Sequence, residues 1–188
     1  MRKSYNPEQS VTDVLQFFPS VQRDMLCLYL KKNLKVKDPE KVIDRLSHIG
    51  RIVEDKNGFF ALNSSIEPSV LTTCEFAVFQ RMSKTEELRL SKARYPYDYV
   101  FDAGHKIYLL LAFAREGIYK LSFEKNSDKP KTDPAAMPTP VIMLINDTVS
   151  SLDTGILPDH CLVAMVSYAD YKVKGINIVE YNKKGDEQ

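Results

Sequence analysis

Tryptophan is absent from the 188 residues and glycine occurs only 7 times, which leaves little material for a phosphate-cradling loop. None of the patterns G-x-x-x-x-G-K-[ST], G-x-G-x-x-G or G-x-S-x-G occurs, so P-loop nucleotide hydrolysis, dinucleotide binding and elbow-type serine hydrolysis are set aside. Cysteine is scarce as well. Cys27, Cys74 and Cys161 are odd in number and far apart, with no C-x-x-C pair, which argues against a disulfide framework or zinc knuckle and for buried, reduced thiols. His48, His105 and His160 show no H-x-x-x-H spacing, so no metal site is expected from them. Long apolar runs are missing too. The longest, Ile107 to Ala114, is far short of the roughly 20 residues a membrane helix needs. The opening MRKSYNPEQ is followed by no signal-peptide core, and the expected compartment is the cytoplasm.

An excess of either charge sign is also lacking, at +1 overall. The distribution is uneven: residues 1–63 carry 11 Lys/Arg against 8 Asp/Glu, and residues 64–188 carry 15 against 17. That bias permits a nucleic-acid partner without demanding one. What is present is 44% apolar content, enough for a core in one large domain or two small ones.

The first segment is the more informative. Val11, Val14, Leu15 and Phe18 fall on one helical face between Gln9 and Phe18, before Pro19 interrupts. Ser20 is placed to cap a second helix, with Val21, Met25, Leu28 and Tyr29 on one side and Leu26 and Leu30 widening the stripe. A third helix is the best specified, with Asp38 as N-cap, Pro39 in the first turn and Gly50 at the left-handed stop. Its expected buried face is Val42, Ile43, Leu46 and Ile49. Beyond the glycine, RIVED and FFALN flank Lys56-Asn57-Gly58, a strong hairpin signal. Three helices and a small β-ribbon result.

Turned at 100° per residue, the outward side of the third helix displays Lys37, Glu40, Lys41, Asp44, Ser47, His48 and Arg51. Lys37, Lys41, Arg51 and the ribbon's Lys56 could neutralise phosphates, with Asn57 beside Lys56 in the loop. Ser47, His48 and Arg45 could reach base edges. Glu40 and Asp44 argue the other way, since carboxylates facing phosphates are repelled. The alternatives are a solvated helix laced by its own ion pairs, or a surface that meets protein.

The second segment reads as α-β-β-β-β, a loop, then β-α-β-β. Pro68 opens a long, largely buried helix through Met82, and EELRLSKA alternates like a strand. YPYDYVFDAGHKIYLLLAFA reads as a hairpin turning at Ala103-Gly104-His105-Lys106, and GIYKLSFEK as a further strand. Residues 125–140 hold four prolines and mixed charge and read as an exposed loop. VIMLI, CLVAMVSY and INIVEYN are strands, with DTVSSLDTGIL a short helix capped by Asp147. Asp98, Asp102 and Glu116 gather near the hairpin, where solvated turn residues are the ordinary case and metal catalysis the rarer one. Tyr95, Tyr97, Tyr99 and Phe101 alternate on one strand face, suited to a core or an interface more than to base stacking. His160 and Cys161, as strand neighbours, face opposite sides and cannot act as base and nucleophile by adjacency.

Residues 9–63, three helices followed by the Asn-Gly ribbon, resemble the winged helix-turn-helix domain, in which the third helix usually lies in the major groove. With the second segment added, the chain resembles the replication-relaxation type of mobile-element protein, whose second part looks like a restriction-endonuclease fold. That resemblance implies an α+β protein with a winged helix at 1–63 and a mixed α/β domain at 64–188. It also implies a plasmid or conjugative-element context and control of replication. Active nucleases of that fold carry an aspartate on the first hairpin strand and E-x-K on the second. Asp98 matches the former, but KIYLLLAFA supplies neither glutamate nor lysine at the latter positions. The expectation is therefore a non-enzymatic, double-stranded-DNA-binding protein without cofactor, metal or membrane, in which a homodimer would suit a palindromic site.

Overall fold

The structure is a computed structural model that describes residues 6–83, 89–94, 97–103, 106–112, 138–147 and 157–182. It is α+β: N-terminal helices with a small three-strand sheet, then a six-strand mixed sheet. The chain divides into two compact units, Met1–Leu88 with Asp170–Lys172, and Arg89–Ala169 with Val173–Gln188. Among the described residues, no helix is long and apolar enough to cross a membrane.

In the first unit, α1 (Pro7–Phe17) starts earlier than its apolar periodicity suggests, because Asn6 caps it. The Asn6 Oδ1 accepts from the amides of Glu8 at 3.0 Å and Gln9 at 3.4 Å, with Pro7 in the first turn. Val11, Val14 and Leu15 turn inward. Ser20 does not cap the second helix. Instead Val21–Gln22 form a short strand, β1, and α2 (Arg23–Lys32) begins after it. The reason lies in what Ser20 binds: its Oγ accepts from the Ser69 amide at 3.2 Å and its carbonyl from Thr72 Oγ1 at 2.7 Å.

Helix α3 (Pro39–His48) follows its expected signals. Asp38 accepts from the Lys41 amide at 3.4 Å, and Gly50, at φ +71°, lets Arg51 N–H reach the Leu46 carbonyl at 2.9 Å. Ile43 and Leu46 are buried and Val42 only partly so. Ile49 is 51% exposed because the helix ends at His48, so the apolar stripe closes before it.

Strands β2 (Val53–Glu54) and β3 (Phe59–Ala61) complete a sheet of order β1-β3-β2, with Val21 opposite Phe60 and Glu54 opposite Phe60 from the other side. The loop between β2 and β3 is tied by Asp55, whose Oδ1 accepts from Asn57 N at 2.9 Å and Phe59 N at 2.7 Å. Gly58 takes the positive φ of +79° that this turn requires. Central β3 is buried throughout, which explains its run of Phe59, Phe60 and Ala61.

Helix α4 (Val70–Met82), capped by Ser69, buries Thr73 through Phe79 without a break. It packs within the first unit: Phe76 lies 5.1 Å from Phe18 and 5.7 Å from Tyr29 between ring centroids, and Gln80 Nε2 donates to the Met25 carbonyl at 2.9 Å. Each such aromatic contributes about 1.5–3 kcal/mol by burial.

The second unit is a sheet of order β4-β5-β6-β7-β8-β9, built from Leu90–Lys92, Tyr99–Ala103, Lys106–Ala112, Thr139–Ile145, His160–Ala169 and Lys172–Asn182. β4–β5 and β5–β6 pair antiparallel, β6–β7 and β7–β8 parallel. Parallel central strands are covered on both faces, and Val141 to Leu144 are all buried. One core gathers Tyr97, Leu111, Ile142, Leu144, Leu157, Cys161 and Val163. Strand β7 begins at Thr139, two residues inside the stretch read as a loop, with Pro140 at the strand's start where a missing N–H costs least. Asp170 and Tyr171 join β8 to β9 with both φ positive, the geometry of a two-residue hairpin turn. The alternating stretch EELRLSKA carries β4 at Leu90–Lys92, with its first three residues outside the described ones, while the strand GIYKLSFEK, residues 125–137 and most of the Asp147-capped helix lie outside the described residues.

Candidate nucleic-acid interface

Because only Ile43 and Leu46 bury, the opposite side of α3 stands in solvent. Lys41, Arg45 and His48, at i, i+4 and i+7, share that side and are exposed. The Lys41 ammonium meets Asp38 at 2.8 Å with its side chain 83% exposed, and Arg45 meets Glu8 of α1 at 3.3 Å with its side chain 72% exposed. The Lys41 pair raises the lysine's pKa and lowers that of Asp38, in both cases through the bond between them first. Solvent screens pairs this exposed, so they hold side chains loosely and exchange readily for another anion.

Lys37 is exposed ahead of the cap, Arg51 is exposed beyond Gly50, and Lys56 is exposed in the β2–β3 loop. Asn57 is half-buried, its backbone amide bound to Asp55. Ser47 is half-buried rather than outward, because it stands next to the buried edge of the stripe, and its carbonyl accepts from Gly50 N at 3.0 Å.

The residue that sequence reasoning missed is Arg23, the first residue of α2. Its guanidinium reaches Glu40 at 2.7 Å and Glu54 at 3.6 Å and also binds Asp44, and it lies 5.7 Å from the centre of the Phe60 ring. One cation therefore joins α2, α3 and β2 and holds the two carboxylates that argued against an anionic partner. Asp44, ahead of Glu40, pushes the arginine's pKa further above its ordinary value, against desolvation. Cys27 Sγ lies 3.3 Å from Glu40, and burial first, then that bond, push its thiol up to about 12. Cys27 is thus half-buried and protonated, whereas Cys74 and Cys161 are fully buried. Nothing in the sequence marks Arg23, since its partners lie 17, 21 and 31 residues away, beyond any helical or strand period.

The acidic positions of the second unit are engaged in the strands. Asp98 Oδ2 accepts from Ala112 N at 2.9 Å, pinning the end of the β5–β6 hairpin, and Asp102 meets Arg89 at 3.4 Å. Glu116 lies outside the described residues. Tyr97, Tyr99 and Phe101 are buried, with Phe101 stacked on Tyr108, while Tyr95 lies outside the described residues. His160 is exposed and bonded to Asn182, and Cys161 points into the core with its thiol pushed up to about 11 by burial. No protein family, curated protein or solved structure matches the chain.

Proposed function

We propose that the chain is a non-enzymatic DNA-binding protein that grips duplex DNA through α3, with the first unit acting as a winged helix and the β2–β3 ribbon as its wing. The second unit is then a restriction-endonuclease-like scaffold without that fold's chemistry, in the setting of a plasmid or conjugative element. One observation carries the reading. Arg23 holds Glu40 and Asp44 at one flank of α3 while Lys41, Arg45 and His48 stand exposed on its outer side. Phosphate contacts come from Lys37, Lys41, Arg51 and Lys56, and base-edge contacts from Arg45 and His48.

Mobility shifts on random duplex DNA test it, with binding expected at low salt and falling steeply as salt rises. Lys41→Glu combined with Arg51→Glu abolishes the shift. Retained binding by that variant excludes this face.

A second reading is favoured by a different observation. The cations of this surface are matched by Glu8, Asp38, Glu40, Asp44 and Glu54, and Ile49 and Val53 are 51% and 39% exposed beside them. A balanced surface with apolar points suits a protein partner. No DNA binding at any salt would select it.

A further inference from the structure

Among the described residues β9 is the last strand of the sheet, bonded to β8 on one edge and to no strand on the other. It runs eleven residues, Lys172–Asn182, and contains no proline. Among the described residues that edge is a row of backbone groups with no neighbouring strand, a template for another strand. Its side chains alternate between faces. Val179 and Tyr181 pack against the core of Ile142, Leu144 and Val163, so the odd-numbered residues belong to that face and the even-numbered ones to the other.

The even face reads Lys174, Ile176, Ile178, Glu180, so reversing the strand about Asn177 exchanges its positive end for its negative end and leaves the two isoleucines in the middle. Paired antiparallel with itself in that register, β9 sets Lys174 opposite Glu180 of a second copy and Ile176 opposite Ile178, each pair occurring twice. On the odd face Val173 meets Tyr181 and Gly175 meets Val179. Gly175 has nothing within 4 Å of where a Cβ would stand, which leaves room for the valine. The same register pairs all eleven residues, with Asn177 against itself on the axis.

We propose that β9 is the interface of a homodimer, in which two sheets continue through one another across a two-fold axis at Asn177. Charge complementarity between the two ends of one strand selects a second copy over an unrelated partner. The proposal does not depend on DNA binding.

Sedimentation equilibrium of the full chain is expected to show a concentration-dependent dimer. K174E sets glutamate against Glu180 twice and E180K sets lysine against Lys174 twice, and each weakens dimerisation by about tenfold or more. K174E combined with E180K restores it. In a C27S background, N177C oxidises to a covalent dimer and G175C does not, because the latter pair lies beyond the ~7 Å between Cα atoms that a disulfide spans. A monomer at every concentration overturns the proposal. So does a dimer that ignores both single charge reversals, or cross-linking by G175C as efficient as by N177C.

Discussion

Helix α4 turns seven consecutive residues, Thr73 to Phe79, into the core, whereas α3 is held by Ile43 and Leu46 and leaves the side bearing Lys41, Arg45 and His48 in solvent. The two helices belong to one unit but serve different ends. An all-round buried helix is fixed by packing, and any change of shape in it is felt by its neighbours. A helix docked by one narrow stripe can vary its outer residues at little cost in stability, which is the condition for a recognition surface.

That contrast can be broken by substitution. Phe76→Ala, which removes a ring touching Phe18 and Tyr29, is expected to cost about 3–5 kcal/mol and lower the melting temperature most. A loss under about 1 kcal/mol would show that α4 is not the keystone described. Ile43→Ala should cost about 2–4 kcal/mol, since α3 has few other anchors, and a negligible effect would mean the helix is held by something else.

Alkaline pH comes next. Burial pushes Cys74 up to about 12, and burial with Glu40 does the same for Cys27, from an ordinary value of 9.0. Folded pKa values above the unfolded one mean that this contribution is complete below about pH 9 and is lost as pH rises through the folded values. Melting temperature should therefore decline from about pH 9 upward. Cys74→Ala should make that decline shallower, and a flat profile would contradict the burial of these thiols.

Arg23→Gln should cost only about 1 kcal/mol, because its carboxylate partners are largely exposed and solvent screens them. Its larger consequence would appear in the mobility shift, which weakens when Glu40, Asp44 and Glu54 meet phosphate without their arginine. Smallest of all in stability is Lys41→Glu with Arg51→Glu, expected to leave the melting temperature nearly unchanged while removing the DNA shift. A cooperative loss of structure in that variant would dissolve the distinction between the two helices.

Local signals were legible where their cause is local. Asp38, Pro39 and Gly50 announced α3 because capping acts within one turn. VIMLI announced a strand, and Val141 to Leu144 are buried in it. Ser20 misled because a serine before a helix looks the same whether its oxygen binds the next turn or Ser69, 49 residues on. The two-residue strand Val21–Gln22 exists only because β3 lies alongside it. The apolarity of α4 foretold burial but could not say against what, so the sequence grouped it with the sheet that follows. Of the proposed interface, the exposed cations were readable from helical period, whereas Arg23's hold on Glu40 and Asp44 arises only when α2 and α3 come together.

The parallel pairing of β6 with β7 and of β7 with β8 bears on the order of events during folding. Neither pairing can form from a tight turn: residues 113–138 separate β6 from β7 and residues 146–159 separate β7 from β8, so each pairing joins strands far apart in the chain. Hairpin and helix contacts of short sequence separation form sooner than these. The central ladder is therefore the slow step, and until it closes, Val141, Ile142, Met143 and Leu144 remain an uncovered apolar segment open to aggregation.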